Sequence, residues 1–221
     1  MNDFLKASLP FWSKLTQNEQ QLLIDTLQIH KYDRGTILYH DGSECAGVEI
    51  IKSGRARVYI SSKDGKEITL YRILANEVCM MSAACMIKNI NFGISIETEA
   101  DSEIAIIPRN IYQKLNDENM FVKNFTLEMV AEKFSDVIWL LEQFVFSNMG
   151  QRLSCELISQ SELCESKILN ITHEKIAVDL GTAREVVTRL LKQFQTDNLV
   201  SLSRGKIEIL DDTALRKMSK W

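Results

Sequence analysis

Histidine and proline are scarce in this 221-residue sequence, which contains three histidines and two prolines. A metalloenzyme built on a β-barrel needs several histidines close together, commonly an H-x-H pair, whereas His30, His40 and His173 are far apart. No nucleophile elbow, Walker loop or G-x-G-x-x-G phosphate cradle occurs. We therefore expect neither an enzyme nor a metal site. With 45% hydrophobic residues, the chain is long enough for a real core in one or two domains.

The five cysteines are an odd number and form no C-x-x-C pair, so the sequence does not indicate a disulfide framework. Cys79 and Cys85 fit either a redox pair or two buried thiols. No apolar run approaches the roughly 20 residues of a membrane span, and the N-terminus lacks a charged-then-apolar signal. We expect a cytoplasmic protein with no membrane partner.

Residues 31–108 have the pattern of an all-β region. Runs such as AGVEIIKSGRARVYI and ISIETEADSEIAIIP are rich in β-branched residues and are separated by turns with glycine. Short strands at this spacing predict a barrel or double-sheet roll. The preceding thirty residues read as short helices.

Residues 117–146 predict one long helix with two apolar stripes. One stripe alternates by three and four residues, as in a heptad seam. Its members are Leu127, Val130, Phe134, Val137, Leu141 and Phe144. Such a helix either packs on its twin in a parallel homodimer or is buried within a monomer, and we favour the homodimer. Ser147, just after this helix, is the expected N-cap of the next one.

The segment 171–194 predicts two short helices around a turn. Thr172 is a suitable N-cap, Gly181 allows the sharp turn, and Thr182 is expected to cap the second helix. In that second helix one set of residues recurs at helical spacing and is predicted to face the protein. The set is Ala183, Val186, Val187, Leu190 and Phe194.

The opposite face of the second helix carries Arg184, Glu185, Thr188, Arg189 and Lys192. Arginine is a bidentate donor to guanine and glutamate accepts from the cytosine amino group, which suits a recognition helix in the major groove. Two other interpretations remain open: a solvated face, and a capping box between Thr182 and Glu185. The net charge is −4, but residues 167–206 carry seven basic and four acidic residues. Two short strands around Arg204-Gly205-Lys206 then predict a wing.

The segment THEKIAVDLGTAREVVTRLLKQF, followed by LVSLSRGKIEIL, resembles the DNA-binding signature of the Crp/Fnr family of bacterial transcription regulators. The R-E-x-x-x-R pattern at Arg184, Glu185 and Arg189 matches the base-reading core of that family. Thr188 lies on the same face and is expected to contact a base with these three residues, or alternatively a phosphate. Six further residues are expected to contact the DNA backbone. They are Thr172, His173, Thr182, Lys192, Arg204 and Lys206.

The resemblance implies an α+β fold with two domains. Residues 1–116 are expected to form a cyclic-nucleotide-binding-like, jelly-roll-like double-stranded β-roll that senses a signal, and 117–146 the long dimerisation helix. Residues 147–221 are expected to form a winged helix-turn-helix domain, with the helix-turn-helix at 172–194 and the wing at 199–210.

Residues 75–95 correspond to the phosphate-binding cassette of the family, and they depart from its pattern. Phe92-Gly93 stands where cyclic-nucleotide binders have an Arg-Ser or Arg-Thr pair, so a bound cyclic phosphate lacks its guanidinium partner. We expect no tight cAMP or cGMP binding. The candidate pocket for another small-molecule or redox effector contains Glu77, Cys79, Met80, Ser82 and Phe92, although Met- and Cys-rich stretches are more often core. No cysteine precedes Cys45, so we expect no iron-sulfur cluster.

The sequence therefore predicts an allosteric homodimer that binds a palindromic double-stranded DNA site, with RNA polymerase as a possible partner. Arg184 favours a TGTGA-like half-site, while the run from Glu185 to Arg189 also resembles readers of TTGAT. The alternative is a ligand- or redox-sensing module with weak or no DNA binding.

Overall fold

The structure is a computed structural model that describes residues 2–40, 47–79 and 93–219. The chain divides into two compact units, Met1–Ser61 with Leu70–Val137 and Ser62–Thr69 with Ile138–Trp221. The division falls within a long helix, between residues 137 and 138, rather than at its end. No helix among the described residues is long and apolar enough to cross a membrane.

The first unit begins with short helices and continues as strands, as the sequence predicts, and it ends in two helices. Its elements are α1 Asn2–Ser8, a 3-10 turn Trp12–Lys14, α2 Gln17–Thr26, β1 Gln28–Tyr32, β2 Ile37–Tyr39, β3 Gly47–Ser53, β4 Ala56–Ser61, β5 Glu67–Ile73, β6 Ile94–Thr98, β7 Ser102–Pro108, α3 Arg109–Glu118 and α4 Met120–Phe146. Residues 67–69 of β5 and the part of α4 from residue 138 onward belong to the second unit.

The strands form two antiparallel sheets, β1-β7-β3 and β2-β6-β4-β5. Alternation along β3 explains how they pack, because successive side chains of a strand point to opposite faces. Ile51 joins an apolar cluster with Val58 of β4 and Ile96 of β6, which are paired with each other in neighbouring strands of the second sheet. Ile50 joins a second cluster with residues of the helices. The first sheet therefore lies between a helical layer and the second sheet, which is the predicted β-roll.

The predicted single helix from residue 117 is interrupted at Asn119. The helix α3 ends at Glu118 and α4 begins at Met120. Asn119 is extended, and its side-chain oxygen accepts a hydrogen bond from the backbone N–H of Phe121 (3.0 Å). Asn competes with the helix in this way because its short side chain bonds to nearby backbone groups. The two helices remain joined by a hydrogen bond between Tyr112 and Thr126 (2.8 Å).

The second unit contains the end of α4, four further helices and a small sheet. These elements are α5 Met149–Leu163, β8 Ile168–Leu169, α6 His173–Leu180, α7 Arg184–Thr196, β9 Val200–Ser203, β10 Lys206–Ile209 and α8 Asp212–Ser219. A single apolar cluster includes residues of all these helices and strands, with Leu157, Ile176, Leu191 and Ile207 among its buried members. The unit is the predicted winged helix-turn-helix.

Two details of this unit differ from the sequence-based expectation. The N-cap of α5 is Asn148 rather than Ser147: Asn148 and Gln151 form a reciprocal capping box, with bonds of 3.0 and 2.9 Å. A short strand, β8, precedes Ile171 and pairs with β10. The sheet order is β8-β10-β9, so the wing has three strands rather than two. A two-residue strand carries too little periodicity to be found from sequence.

Candidate nucleic-acid interface

The first helix of the helix-turn-helix has the predicted caps. The side chain of Thr172 accepts a hydrogen bond from the backbone N–H of Lys175 (3.1 Å). At the other end Gly181 has a φ of 64°, a left-handed conformation that glycine adopts without strain. The turn into α7 is therefore tight.

The recognition helix α7 begins one residue later than predicted. Its N-cap is Ala183, which makes no side-chain capping bond, and its first residue is Arg184. Thr182 is therefore not the cap, and the Thr182–Glu185 capping box is not formed, because that box needs Thr182 at the N-cap. Ala183 is exposed, contrary to expectation.

The buried face of α7 consists of Val187, Leu191 and Phe194, with Leu190 partly buried against them. Leu191 was absent from the predicted apolar set. These side chains fix the rotation of α7 about its axis. The same rotation directs the five predicted polar residues away from the core.

The five predicted polar side chains of α7 lie together around one open depression of about 520 Å³. Its lining consists of Arg184, Glu185, Thr188, Arg189 and Lys192. Thr188 is half-buried and the other four are exposed. The surface combines three cationic groups with one carboxylate and one hydroxyl. It therefore has donors for phosphate and for base acceptors, and an acceptor for base amino groups.

His173 was expected to contact the DNA backbone, but its ring is already engaged inside the unit. Its Nδ1 lies 3.0 Å from the hydroxyl oxygen of Thr188. Burial, and next the positive charge of Arg184, lower the pKa of His173. The imidazole is therefore biased toward its neutral form, and Nε2 remains outside this hydrogen bond.

The remaining predicted backbone contacts lie at four places: the start of α6, the turn, α7 and the wing. Thr172 is exposed at the start of α6, and Thr182 is half-buried in the turn. Lys192 is exposed on α7, and Arg204 and Lys206 are exposed at the wing. The wing turns across Arg204 and Gly205, since Ser203 of β9 is paired with Lys206 of β10. Gly205 has a φ of 72°, which makes this two-residue connection possible.

Arg152 of α5 is a residue that sequence reasoning missed. Its guanidinium donates to the carbonyl oxygen of Leu180 at the C-terminus of α6 (2.6 Å). The same group lies 3.6 Å from the ring centroid of Phe144 in α4. Arg152 therefore joins the end of the long helix to the helix-turn-helix, through a cation–π contact and a C-terminal cap.

Comparison with known proteins agrees with this geometry. Residues 139–218 match a Crp-like helix-turn-helix domain, and residues 29–119 match a cyclic nucleotide-binding domain. The crystal structure of a transcriptional regulator of the Crp/Fnr family from Eubacterium rectale is 40% identical, with a TM-score of 0.89 over 96% of this chain and 98% of that one. This chain belongs to the Crp/Fnr family. It is a transcriptional regulator with a helix-turn-helix DNA-binding domain.

More distant Crp/Fnr relatives match along most of the chain. The Cyclic AMP receptor protein of Thermus thermophilus is 20% identical over 95% of this chain and 96% of its own length. The Global nitrogen regulator of Synechococcus elongatus is 22% identical over 86% and 88%. Crp-like regulators bind DNA and act as dimers. They are generally not enzymes.

In this Crp/Fnr chain most of the predicted heptad seam is exposed. Leu127, Phe134 and Leu141 are 54%, 65% and 57% exposed, and Val137 is 40% exposed. Val130 and Phe144 are only half-buried, with Val130 packed against the helical core. The seam thus leaves an apolar stripe along α4 that this single chain does not cover.

The predicted effector residues separate into two environments. Glu77 is exposed, and its carboxylate accepts from the backbone N–H of Leu74 (2.8 Å), closing a turn in which Asn76 has a φ of 68°. Cys79 is fully buried in the cluster between the sheets. The structure does not bring these two side chains together. Met80, Ser82 and Phe92, like Cys85, lie outside the described residues.

Proposed function

We propose that this protein is a sequence-specific, homodimeric regulator that reads a palindromic DNA site through the exposed face of α7. The single observation that carries this proposal is the shared polar depression on α7. Its five lining side chains point away from the core because the opposite, apolar face of α7 is buried. They are Arg184, Glu185, Thr188, Arg189 and Lys192. An amphipathic helix of this kind, at the second position of a helix-turn-helix, suits the major groove.

In this proposal Arg184, Glu185, Thr188 and Arg189 contact base edges. Each arginine suits the O6 and N7 atoms of guanine, and the Glu185 carboxylate suits the amino group of cytosine. Glu185 is available for this role because Ala183, and not Thr182, occupies the N-cap position.

We assign phosphate contacts to Thr172, Thr182, Lys192, Arg204 and Lys206. The lysines and Arg204 supply positive charge, which holds the helix in register without reading sequence. The Thr172 oxygen accepts from Lys175, so its hydroxyl hydrogen stays available to a phosphate.

The dimer is proposed to form along the exposed stripe of α4. Two recognition helices read half-sites about one DNA turn apart only when a two-fold axis relates them. A twin helix covers Leu127, Phe134 and Leu141 with identical side chains, which removes apolar surface from water on both copies.

The effector is proposed to act at the β-roll and to differ from a cyclic nucleotide. The buried Arg57 donates to Glu97 (2.7 Å), and Arg72 donates to Glu99 (2.8 Å). Each of these two guanidinium groups therefore already has a carboxylate partner within the protein, which does not favour it as the partner of a cyclic phosphate. Phe92-Gly93 in the cassette supports the same conclusion.

The protein is proposed to work in the cytoplasm and to influence RNA polymerase at its promoters.

The testing experiment is enrichment of a randomised duplex pool on the purified protein without added ligand, followed by anisotropy on the enriched sequence. We expect a palindrome bound by a dimer. A protein that is folded and dimeric, yet enriches no sequence with or without cell-extract metabolites, contradicts the proposal and favours the sensing module.

A further inference from the structure

The imidazole of His173 contacts Thr188, the least exposed of the five polar side chains on the outer face of α7. Its Nδ1 lies 3.0 Å from Oγ1 of Thr188, which belongs to the next helix. His173 is the first residue of α6, and the start of that helix is fixed by the Thr172 cap and not by the imidazole. The Thr188 hydroxyl therefore has a hydrogen-bond partner within the protein before any DNA is bound.

We propose that His173 is a positioning residue for base recognition, because its Nδ1 determines which hydrogen-bonding role the Thr188 hydroxyl offers to a base. This inference rests on the proposed function, since it assumes that α7 reads base edges. It adds a second role to the sequence-based expectation, in which His173 contacts the DNA backbone.

The argument depends on the capacity of a hydroxyl group, which has one hydrogen and two lone pairs. If Nδ1 carries a proton, Thr188 accepts from it, and the hydroxyl hydrogen points to an acceptor such as guanine O6 or thymine O4. If Nδ1 is bare, the hydroxyl donates to it, and its lone pairs accept from the amino group of adenine or cytosine. The state of Nδ1 thereby biases which base is preferred beside Thr188.

Neighbouring groups keep this choice open. Arg184 of α7 carries a positive charge that disfavours a second positive charge on His173. The neutral ring has one donor nitrogen and one acceptor nitrogen, so the group bonded to Nε2 selects the tautomer at Nδ1. A DNA phosphate accepting from Nε2 leaves Nδ1 bare. A phosphate contact and the base preference are then linked through one ring.

Substitutions of similar shape can test the roles of Nδ1 and Nε2 of His173 one at a time. The amide of asparagine places a polar atom at the position of Nδ1, and that of glutamine places one at the position of Nε2. The first step is Thr188→Val, which keeps the methyl group and removes the hydroxyl. Affinities for the enriched palindrome and its single-base variants then identify the base position that depends on this hydroxyl.

At that base position, we expect His173→Ala to reduce discrimination roughly 3- to 10-fold, the range for one hydrogen bond. His173→Asn is expected to retain most of the discrimination and His173→Gln to lose it. In the Thr188→Val background, His173→Ala is expected to reduce discrimination no further. Melting temperatures of all variants check that the domain stays folded.

Equal loss of affinity on every duplex in His173→Ala overturns the inference, as does retention by Gln with loss by Asn. Either result assigns His173 to the phosphate backbone alone. An unchanged base preference in Thr188→Val also overturns it. These outcomes differ from failure of the proposed function, in which the wild-type protein enriches no sequence and no base preference exists to be altered.

Discussion

Two helices of this protein leave one face uncovered, and the side chains on those faces are opposite in character. On α4 the uncovered face is apolar, with Leu127, Phe134 and Leu141 each more than half exposed. On α7 it is charged, with Arg184 and Arg189 among its exposed residues. An apolar face gains free energy by excluding water, whereas a charged face gains it from a polyanion. Self-association and DNA recognition are therefore assigned to different helices.

The largest effect expected from disturbing this division follows Phe134→Glu on α4. Two-fold symmetry places this residue on both copies, and covering a Phe contributes about 1.5 to 3 kcal/mol per side chain. We expect dimerisation to weaken by roughly 100-fold or more, and binding of the palindrome to fall with it. Sedimentation velocity measures the first effect and anisotropy the second.

The matched control on α4 is Glu132→Ala, because the Glu132 side chain is 69% exposed and lies on the opposite side of the helix from Phe134. It should leave the dimer intact. A Phe134→Glu protein that remains dimeric would show that the apolar stripe is not the self-association surface.

On α7, Arg189→Ala is expected to cost about 1 to 3 kcal/mol on the preferred sequence and to relax specificity at one base position. The wing variant Lys206→Ala is the comparison. It should weaken all sequences similarly and reduce the slope of log K against log salt by about one. Titrations of matched and mismatched duplexes at several salt concentrations separate the two. An equal loss of affinity for all sequences in Arg189→Ala would instead show that Arg189 contacts the phosphate backbone.

Arg152 connects the end of α4 to α6, the helix that precedes α7. Arg152→Ala removes a charged hydrogen bond to Leu180 and a cation–π contact with Phe144. We expect the free energy of unfolding of the DNA-binding unit to fall by about 2 to 3 kcal/mol. Urea titration followed by circular dichroism measures the change. Arg216→Ala is the control, since its ion pairs with Glu162 and Asp212 are exposed to solvent and should contribute little to stability.

The smallest effect concerns the charge next to His173. Burial first and Arg184 second lower the pKa of this imidazole. Arg184→Ala should therefore raise that pKa, while burial still holds it below the usual value. Proton NMR titration of the imidazole measures it, with Arg204→Ala on the wing as the control. Because the folded pKa is lowered, protonation of His173 favours the unfolded state. The stability present above the unfolded pKa, about 6.5, is therefore reduced as the pH falls through the lower folded pKa.

Much of this architecture was accessible from the sequence because its signals are local. The β-branched runs predicted the roll, and Thr172 and Gly181 predicted the ends of α6. Ala183 was placed wrongly because helical periodicity cannot tell a capping residue from the first buried one. Asn148 and Ser147 are both good N-caps, and only the reciprocal bond with Gln151 decides between them. The His173–Thr188 and Arg152–Leu180 contacts join separate helices, so they could not be predicted from a local sequence pattern.

The strand β8 has a consequence for how the DNA-binding unit folds. The hairpin of β9 and β10 closes across two residues, but β8 pairs with β10 through Leu169 and Ile207, about forty residues apart in the chain. Between them lies the whole helix-turn-helix, so we expect this pairing to form after the intervening helices have brought its two ends together. We expect hydrogen exchange to protect the amides of the wing and those of α7 as one cooperative group, with the wing completed late in folding.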